Sequence, residues 1–275
     1  MNEHIVKDGT YIPVNLTTYP AVPDTPLLNP EIVHNYDFEN NYPFLDKSFK
    51  ARLLNFGIYA GIFFLVFPVN LFKYGLKIKG KKNLRKNRKL FKNGAMTVAN
   101  HVYRWDYLAI LQAVKYRRMW FPTRALQIQS KDSNLIRGAG GIPIPKTTAA
   151  LRRFYKAFDE LHAKKKWIHL FPESCRWDYY EPIRPFKKGT FKMALMYDLP
   201  VIPMVFSYRE PGKLRKLLGK TDPLITLNIG EPIVAEKNSS KSRNEICLDM
   251  LKNAHHQMQQ MAGIEQNMWP ETLDQ

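Results

Sequence analysis

Cysteine is nearly missing from this chain: Cys175 and Cys247 are all that 275 residues hold. Two thiols cannot staple a small secreted domain, and no Cys/His group has the spacing of a zinc site. A disulfide scaffold and a structural metal are therefore not expected, and a reducing cytosolic setting is. A secretory leader is not expected either, because the first 22 residues carry Glu3, Lys7 and Asp8 and no continuous apolar stretch. Internal repeats and low-complexity tracts are absent from the sequence. Hydrophobic residues at 45% and charged residues at 24% exclude a wholly disordered chain, a collagen and a polytopic membrane protein.

Acidic residues are scarce beyond the N-terminal arm. Residues 1–46 hold Glu3, Asp8, Asp24, Glu31, Asp37, Glu39 and Asp46 against the single base Lys7, whereas the rest of the chain holds 41 bases and 17 acids. A body this basic seeks a polyanion, either nucleic acid or an anionic membrane face, and composition does not choose between them. The arm carries six prolines, from Pro13 to Pro43, and reads as extended chain. Its Tyr11, Leu27, Leu28, Tyr36, Phe38 and Tyr42 suit packing on the body.

Residues 53–72 are the most apolar stretch, and twenty helical residues cover about 30 Å, the thickness of a bilayer core. Asn55, Gly57, Gly61, Pro68 and Asn70 interrupt it, and Pro68 is expected to kink or end the helix. Residues 73–92 then carry ten bases and no acid. A buried core helix followed by a solvated basic loop fits this pattern. A segment embedded from the cytoplasmic side fits it better, because each base beside an anionic leaflet contributes about 1 kcal/mol and a basic flank belongs inside. Residues 47–92 are thus expected to be a membrane-associating segment.

From residue 93 to 275 the pattern is α/β. Apolar runs at 95–99, 124–128, 167–171, 200–207 and 224–230 predict buried strands. Residues 106–118, 149–166 and 240–262 predict helices with one apolar face. This alternation predicts a central, mostly parallel sheet flanked by helices.

Chemistry concentrates in Asn100-His101-Val102-Tyr103-Arg104-Trp105-Asp106. On one helix a five-residue offset leaves His101 and Asp106 about 140° apart, and on a strand they face opposite sides. They meet only if the chain turns between them. A strand end, a turn and a helix starting at Asp106 would let the carboxylate fix the imidazole tautomer, so that His101 could take a proton from a hydroxyl. A loop histidine followed by an ordinary Asp helix cap has the same spacing.

Further along come Gly140-Gly141-Ile142-Pro143-Ile144-Pro145-Lys146, then Phe171-Pro172-Glu173-Ser174-Cys175-Arg176, then Leu199-Pro200-Val201-Ile202-Pro203. In this order and spacing the four blocks, over about residues 95–210, resemble the glycerolipid acyltransferases, the family of lysophosphatidic acid acyltransferases. The resemblance implies transfer of a fatty acyl group from a thioester, acyl-CoA or acyl-ACP, to a lysophospholipid hydroxyl. The most direct acceptor is 1-acyl-glycerol-3-phosphate; another lysolipid or a glycolipid is the alternative. It implies His101 as general base, Asp106 as its orienting partner, and Glu173, Arg176, Lys146, Gly141 and Ser174 at the acceptor, with no metal and no resident cofactor. The expected partners are an anionic membrane surface on the cytoplasmic side, the lysolipid and the acyl carrier. No nucleic-acid motif accompanies the charge, although a basic nucleic-acid-binding protein is the alternative of another class. The chain departs from the pattern where Lys146 replaces the usual arginine and where Ser174, Cys175 and Trp177 replace glycine, threonine and serine. A bulky Trp177 is expected to reshape the head-group pocket, and Cys175 invites, weakly, a thiolate reading.

Overall fold

The computed structural model describes residues 19–27, 29–115, 117–219, 222–236 and 240–273. Tyr11 and Leu28, named above as packing residues of the arm, lie outside them. Its helices are α1 (Phe49–Gly61), α2 (Lys81–Lys86), α3 (Asp106–Ala113), α4 (Ala125–Ile128), α5 (Ser133–Gly138), α6 (Thr148–Ala163), α7 (Lys188–Met196), α8 (Lys213–Leu217) and α9 (Arg243–Ala262). Its strands are β1 (Lys77–Lys79), β2 (Met96–Ala99), β3 (Met119–Arg124), β4 (Gly141–Ile144), β5 (Trp167–Leu170), β6 (Val201–Arg209) and β7 (Leu224–Ile229).

Among the described residues the strands form one sheet in the order β1-β7-β6-β2-β5-β3-β4. Every neighbouring pair is parallel except β6 with β7. Side chains alternate across the sheet. Met96 and Val98 of β2 face a core built with Phe154 and Phe158 of α6, Phe191 of α7 and Leu251 of α9. Ala95 and Ala99 face a second core with Ile110 and Leu111 of α3. The long closing helix α9 starts with a capping box in which Ser242 and Glu245 satisfy each other's backbone N–H groups, and it ends at Gly263 in the left-handed conformation.

Three expectations are corrected. Residues 124–128 are not a strand: β3 ends at Arg124 and the next four residues are α4. The true strand lies one step earlier, where Pro122 and the flanking arginines hide its apolar character. Helix α3 stops at Ala113, and Lys115 turns the chain with a φ of 58°. The sheet also begins earlier than residue 93, because β1 lies inside the basic flank and pairs with β7 through Lys77 and Thr226.

Pro68 does not end the apolar helix. Helical structure runs from Phe49 to Lys73, 25 residues, long and apolar enough to cross a membrane. Widened π-helical turns, Ile62–Val66 and Val69–Lys73, flank the proline. Its missing N–H is absorbed there: Phe67 donates to the carbonyl of Ile62, and Tyr74 to that of Val69. One stripe of this helix, Ile58, Ile62, Val66 and Asn70, touches the body. Tyr59 Oη donates to the carbonyl of Ala139, and buried Asn70 donates to Gln112 Oε1 of α3 at 3.2 Å. The remaining face, including Phe49, Leu53, Phe56, Phe64, Leu65 and Phe72, is exposed.

Candidate active site

At the end of β2 the chain leaves the sheet through Asn100. Its amide exchanges two hydrogen bonds with the backbone of Phe206 on β6, at 2.8 and 3.2 Å, which fixes where the following turn starts. The turn ends at Asp106, the first residue of α3. His101 Nδ1 lies 2.6 Å from Asp106 Oδ2. The same carboxylate accepts the backbone N–H of Val102 at 3.1 Å and of Tyr107 at 2.7 Å, and the side chain is buried. Its place in the first helical turn adds the favourable end of the helix dipole. A carboxylate only accepts, so Nδ1 carries the hydrogen, and in the neutral imidazole that leaves the lone pair on Nε2. The imidazole stacks on the ring of Phe171, centroids 3.9 Å apart and planes 13° from parallel.

His101 sits in the wall of a cleft of about 730 Å³. Arg104, Arg124, Lys131, Arg176 and Lys187 also line it, and so do Leu108, Phe121, Ile136, Leu151 and Met193. The wall of the cleft therefore carries basic and apolar side chains together with the His101 imidazole. Arg176 Nε lies 2.8 Å from Asp178 Oδ1. Burial pushes the Asp178 carboxyl above the usual carboxylate range, with Arg176 opposing the shift and Asp106 adding to it. Ser174 lines the same cleft with a φ of 67°, a left-handed conformation that explains why glycine is the usual residue there. Among the described residues no group of His, Cys, Asp and Glu could hold a metal ion.

Not every expected site residue reaches the cleft. Glu173 is 2% exposed and both its oxygens are taken. Oε2 accepts the backbone N–H of His101 at 3.0 Å and Arg184 Nη2 at 2.8 Å, while Oε1 accepts the backbone N–H of Arg184 at 2.9 Å. The structure therefore replaces its expected contact with the acceptor by a buried ion pair that holds the histidine's backbone. Gly141 lies in β4, where a Cβ would sit 2.6 Å from Ile136 Cγ2, so it serves close packing. Lys146 is exposed outside the cleft wall, and its N–H and that of Thr147 are bound by the Glu39 carboxylate, each at 2.9 Å. Trp177 is completely buried and does not line the cleft. The Cys175 thiol is buried too, and burial pushes its pKa up, the opposite of an activated thiolate.

Sequence reasoning missed Arg184, the partner of Glu173, and Phe171 as the platform under the imidazole. It also missed Arg104, Arg124, Lys131 and Lys187 as bases of the cleft. Phe171 stood within a motif block, directly after β5; the position of Arg184 carries no comparable signal.

Comparison with known proteins finds a matching family model and similar solved structures. The family model described as Acyltransferase matches residues 75–207. A similar solved structure is the 1-acyl-sn-glycerophosphate (LPA) acyltransferase PlsC from Thermotoga maritima. The identity is 20% and the TM-score 0.47, over 79% of this chain and 85% of that one. No curated protein matches the chain.

Proposed function

We propose, from the match of residues 75–207 to the family model described as Acyltransferase, that this chain moves a fatty acyl group from an acyl thioester, acyl-CoA or acyl-ACP, to the hydroxyl of a lysophospholipid. The acceptor that best suits the cleft is 1-acyl-glycerol-3-phosphate, whose acylation yields phosphatidic acid. A phosphate dianion and a fatty chain match the basic and apolar side chains of its wall. The observation that carries the reading is the 2.6 Å contact of His101 with buried Asp106 in the wall of that cleft.

In the proposed mechanism His101 Nε2 takes the proton of the acceptor hydroxyl as its oxygen attacks the thioester carbonyl carbon. Asp106 holds the tautomer and stabilises the imidazolium that forms. The tetrahedral oxyanion then collapses, the C–S bond breaks, and the imidazolium returns the proton to the leaving thiolate. The thioester is already activated and the acceptor brings its own nucleophile, so no covalent acyl-enzyme is needed. Alignment of the two substrates supplies much of the rate. His101→Ala should reduce acyl transfer by roughly 10²–10⁴-fold with lysolipid binding retained. Turnover followed by mass spectrometry checks this, and near-normal rates would remove the assignment.

The exposed apolar face of Phe49–Lys73 supports attachment to a bilayer from the side that the basic flank faces, taken as cytoplasmic. Its inner stripe is occupied by the body and Asn70 is bonded to α3, so the helix is read as lying along one leaflet rather than crossing. Exposed Leu214, Leu217 and Leu218 extend the same surface, because Arg215 of α8 donates to the carbonyls of Phe72 and Lys73.

A further inference from the structure

The described part of the N-terminal arm does not merely cover the domain: Pro26, Leu27, Asn29, Pro30 and Glu31 line the same cleft as His101. A socket of buried polar side chains holds this stretch by its backbone. Trp177 Nε1 donates to the carbonyl of Thr25 at 2.8 Å, and Arg184 Nη1 to that of Pro23 at 2.9 Å. Trp177 is 0% and Arg184 1% exposed. Tyr19 stacks on Trp177 with centroids 5.6 Å apart and donates its Oη hydrogen to the carbonyl of Asp178 at 2.7 Å. Leu27 packs on the cluster of Cys175, Trp177 and Tyr180. Without the arm the Trp177 indole N–H would lose the acceptor seen here and the Arg184 guanidinium one of several, so the socket favours an occupant, and the arm is that occupant.

The seated stretch meets basic side chains of the cleft. Asp24 pairs with Lys187 at 2.7 Å, and Asn29 Oδ1 accepts from Arg124 at 3.2 Å. Pro23, Pro26 and Pro30 fix φ at three positions in eight residues, which makes the stretch a stiff wall with little entropy to lose.

We propose that residues 19–27 and 29–31 form a specificity strap that limits the size of the acceptor's head group. A compact phosphomonoester is admitted to Arg124, Arg176 and Lys187, and the larger phosphodiester heads are turned away. The proposal rests on the acyl-transfer reading for its substrate class, while its geometry is independent of whether His101 acts as a base. The departures of this chain from the motif block acquire a reason: Trp177 builds the seat of the strap instead of narrowing the pocket directly.

The test uses the full chain with Tyr19→Ala, which removes the stack and the hydrogen bond, Leu27→Ala, which opens the wall, and Tyr19→Phe, which keeps the stack. Two quantities are measured for each. One is the ratio of kcat/KM for 1-acyl-glycerol-3-phosphate over 1-acyl-glycerophosphoethanolamine with one acyl thioester. The other is the ratio of their binding constants, using analogues that lack the acceptor hydroxyl. Tyr19→Ala and Leu27→Ala should each shift both ratios about tenfold toward the phosphoethanolamine lipid, about 1.4 kcal/mol, with the thioester KM unchanged and Tyr19→Phe near wild type. Unchanged binding ratios in both alanine variants would overturn the strap. A chain that transfers no acyl group but whose binding ratio shifts as stated would retain the strap and lose the acyl-transfer reading.

Discussion

Two stretches N-terminal to the sheet lie against it, and they hold on in opposite ways. Residues 19–27 and 29–31 are attached by polar bonds that end on buried partners, Trp177 and Arg184, and their Pro26, Leu27, Asn29, Pro30 and Glu31 line the cleft. The helix Phe49–Lys73 is attached along one narrow stripe and leaves most of its aromatic and aliphatic side chains uncovered. The first arrangement is complete in water. The second is not, because an exposed apolar surface of this extent calls for another medium. On the readings proposed above the difference separates two tasks: one stretch would shape what enters the cleft, and the other would set where the cleft is held.

The largest effect that would break this comparison lies at Arg184, which serves the strap and the catalytic turn together. Arg184→Met strands Glu173 as a buried charge and should lower stability by about 3–5 kcal/mol, seen as a reduced urea midpoint. A loss below 1 kcal/mol would mean that the pair is not the keystone of the junction. Phe56→Asp and Phe64→Asp address the other stretch. Each should cost roughly 1.5–3 kcal/mol of partitioning to anionic vesicles, about 10- to 100-fold in sedimentation, while acyl transfer to detergent-dispersed lysolipid persists. Unaltered sedimentation would detach the helix from the membrane reading.

Acid sharpens the comparison further. The stripe of Ile58, Ile62, Val66 and Asn70 brings no group that titrates between pH 3 and 7. Beneath the catalytic turn, in contrast, His169 is fully buried with Nδ1 2.9 Å from Thr97 Oγ1. Burial, then the nearby His101, pushes its pKa from 6.5 down to about 3. Its folded value lies below its unfolded one, so the unfolded chain takes up the proton first. The stability it contributes is whole above about pH 6.5 and is lost as pH falls from there toward 3. Urea titrations at pH 7 and pH 5 should show the decline, and His169→Gln should flatten it. The smallest effect is at Ser174. Ser174→Gly relieves the left-handed backbone but gives up chain entropy in the unfolded state, for a net gain of at most about 1 kcal/mol. An acceptor KM unchanged by that variant would also show that the Ser174 hydroxyl does not hold the substrate.

The meeting of His101 and Asp106 was legible in the sequence, because a strand end, a five-residue offset and a helix start leave one way for the two side chains to come together. The long helices α6 and α9 were legible for the same kind of reason, a sustained apolar face. β3 was not, since Pro122 and its arginines mask a strand whose partners are supplied by tertiary pairing with β4 and β5. Glu173 was read as a substrate contact because a carboxylate after a strand says nothing about its partner, and Arg184 lies eleven residues away. Lys146 and Gly141 follow a motif whose positions here serve the Glu39 contact and the packing on Ile136. The strap left the faintest trace of all, because what the socket binds is the carbonyls of Pro23 and Thr25, groups that nearly every residue possesses.

The parallel contact between His101 and Phe171 has a consequence for successive catalytic cycles. An imidazole lying flat against a phenyl ring cannot somersault about its Cβ–Cγ bond without sweeping its edge through that phenyl. If His101 is the base proposed above, this contact holds the same nitrogen against the carboxylate from one turnover to the next.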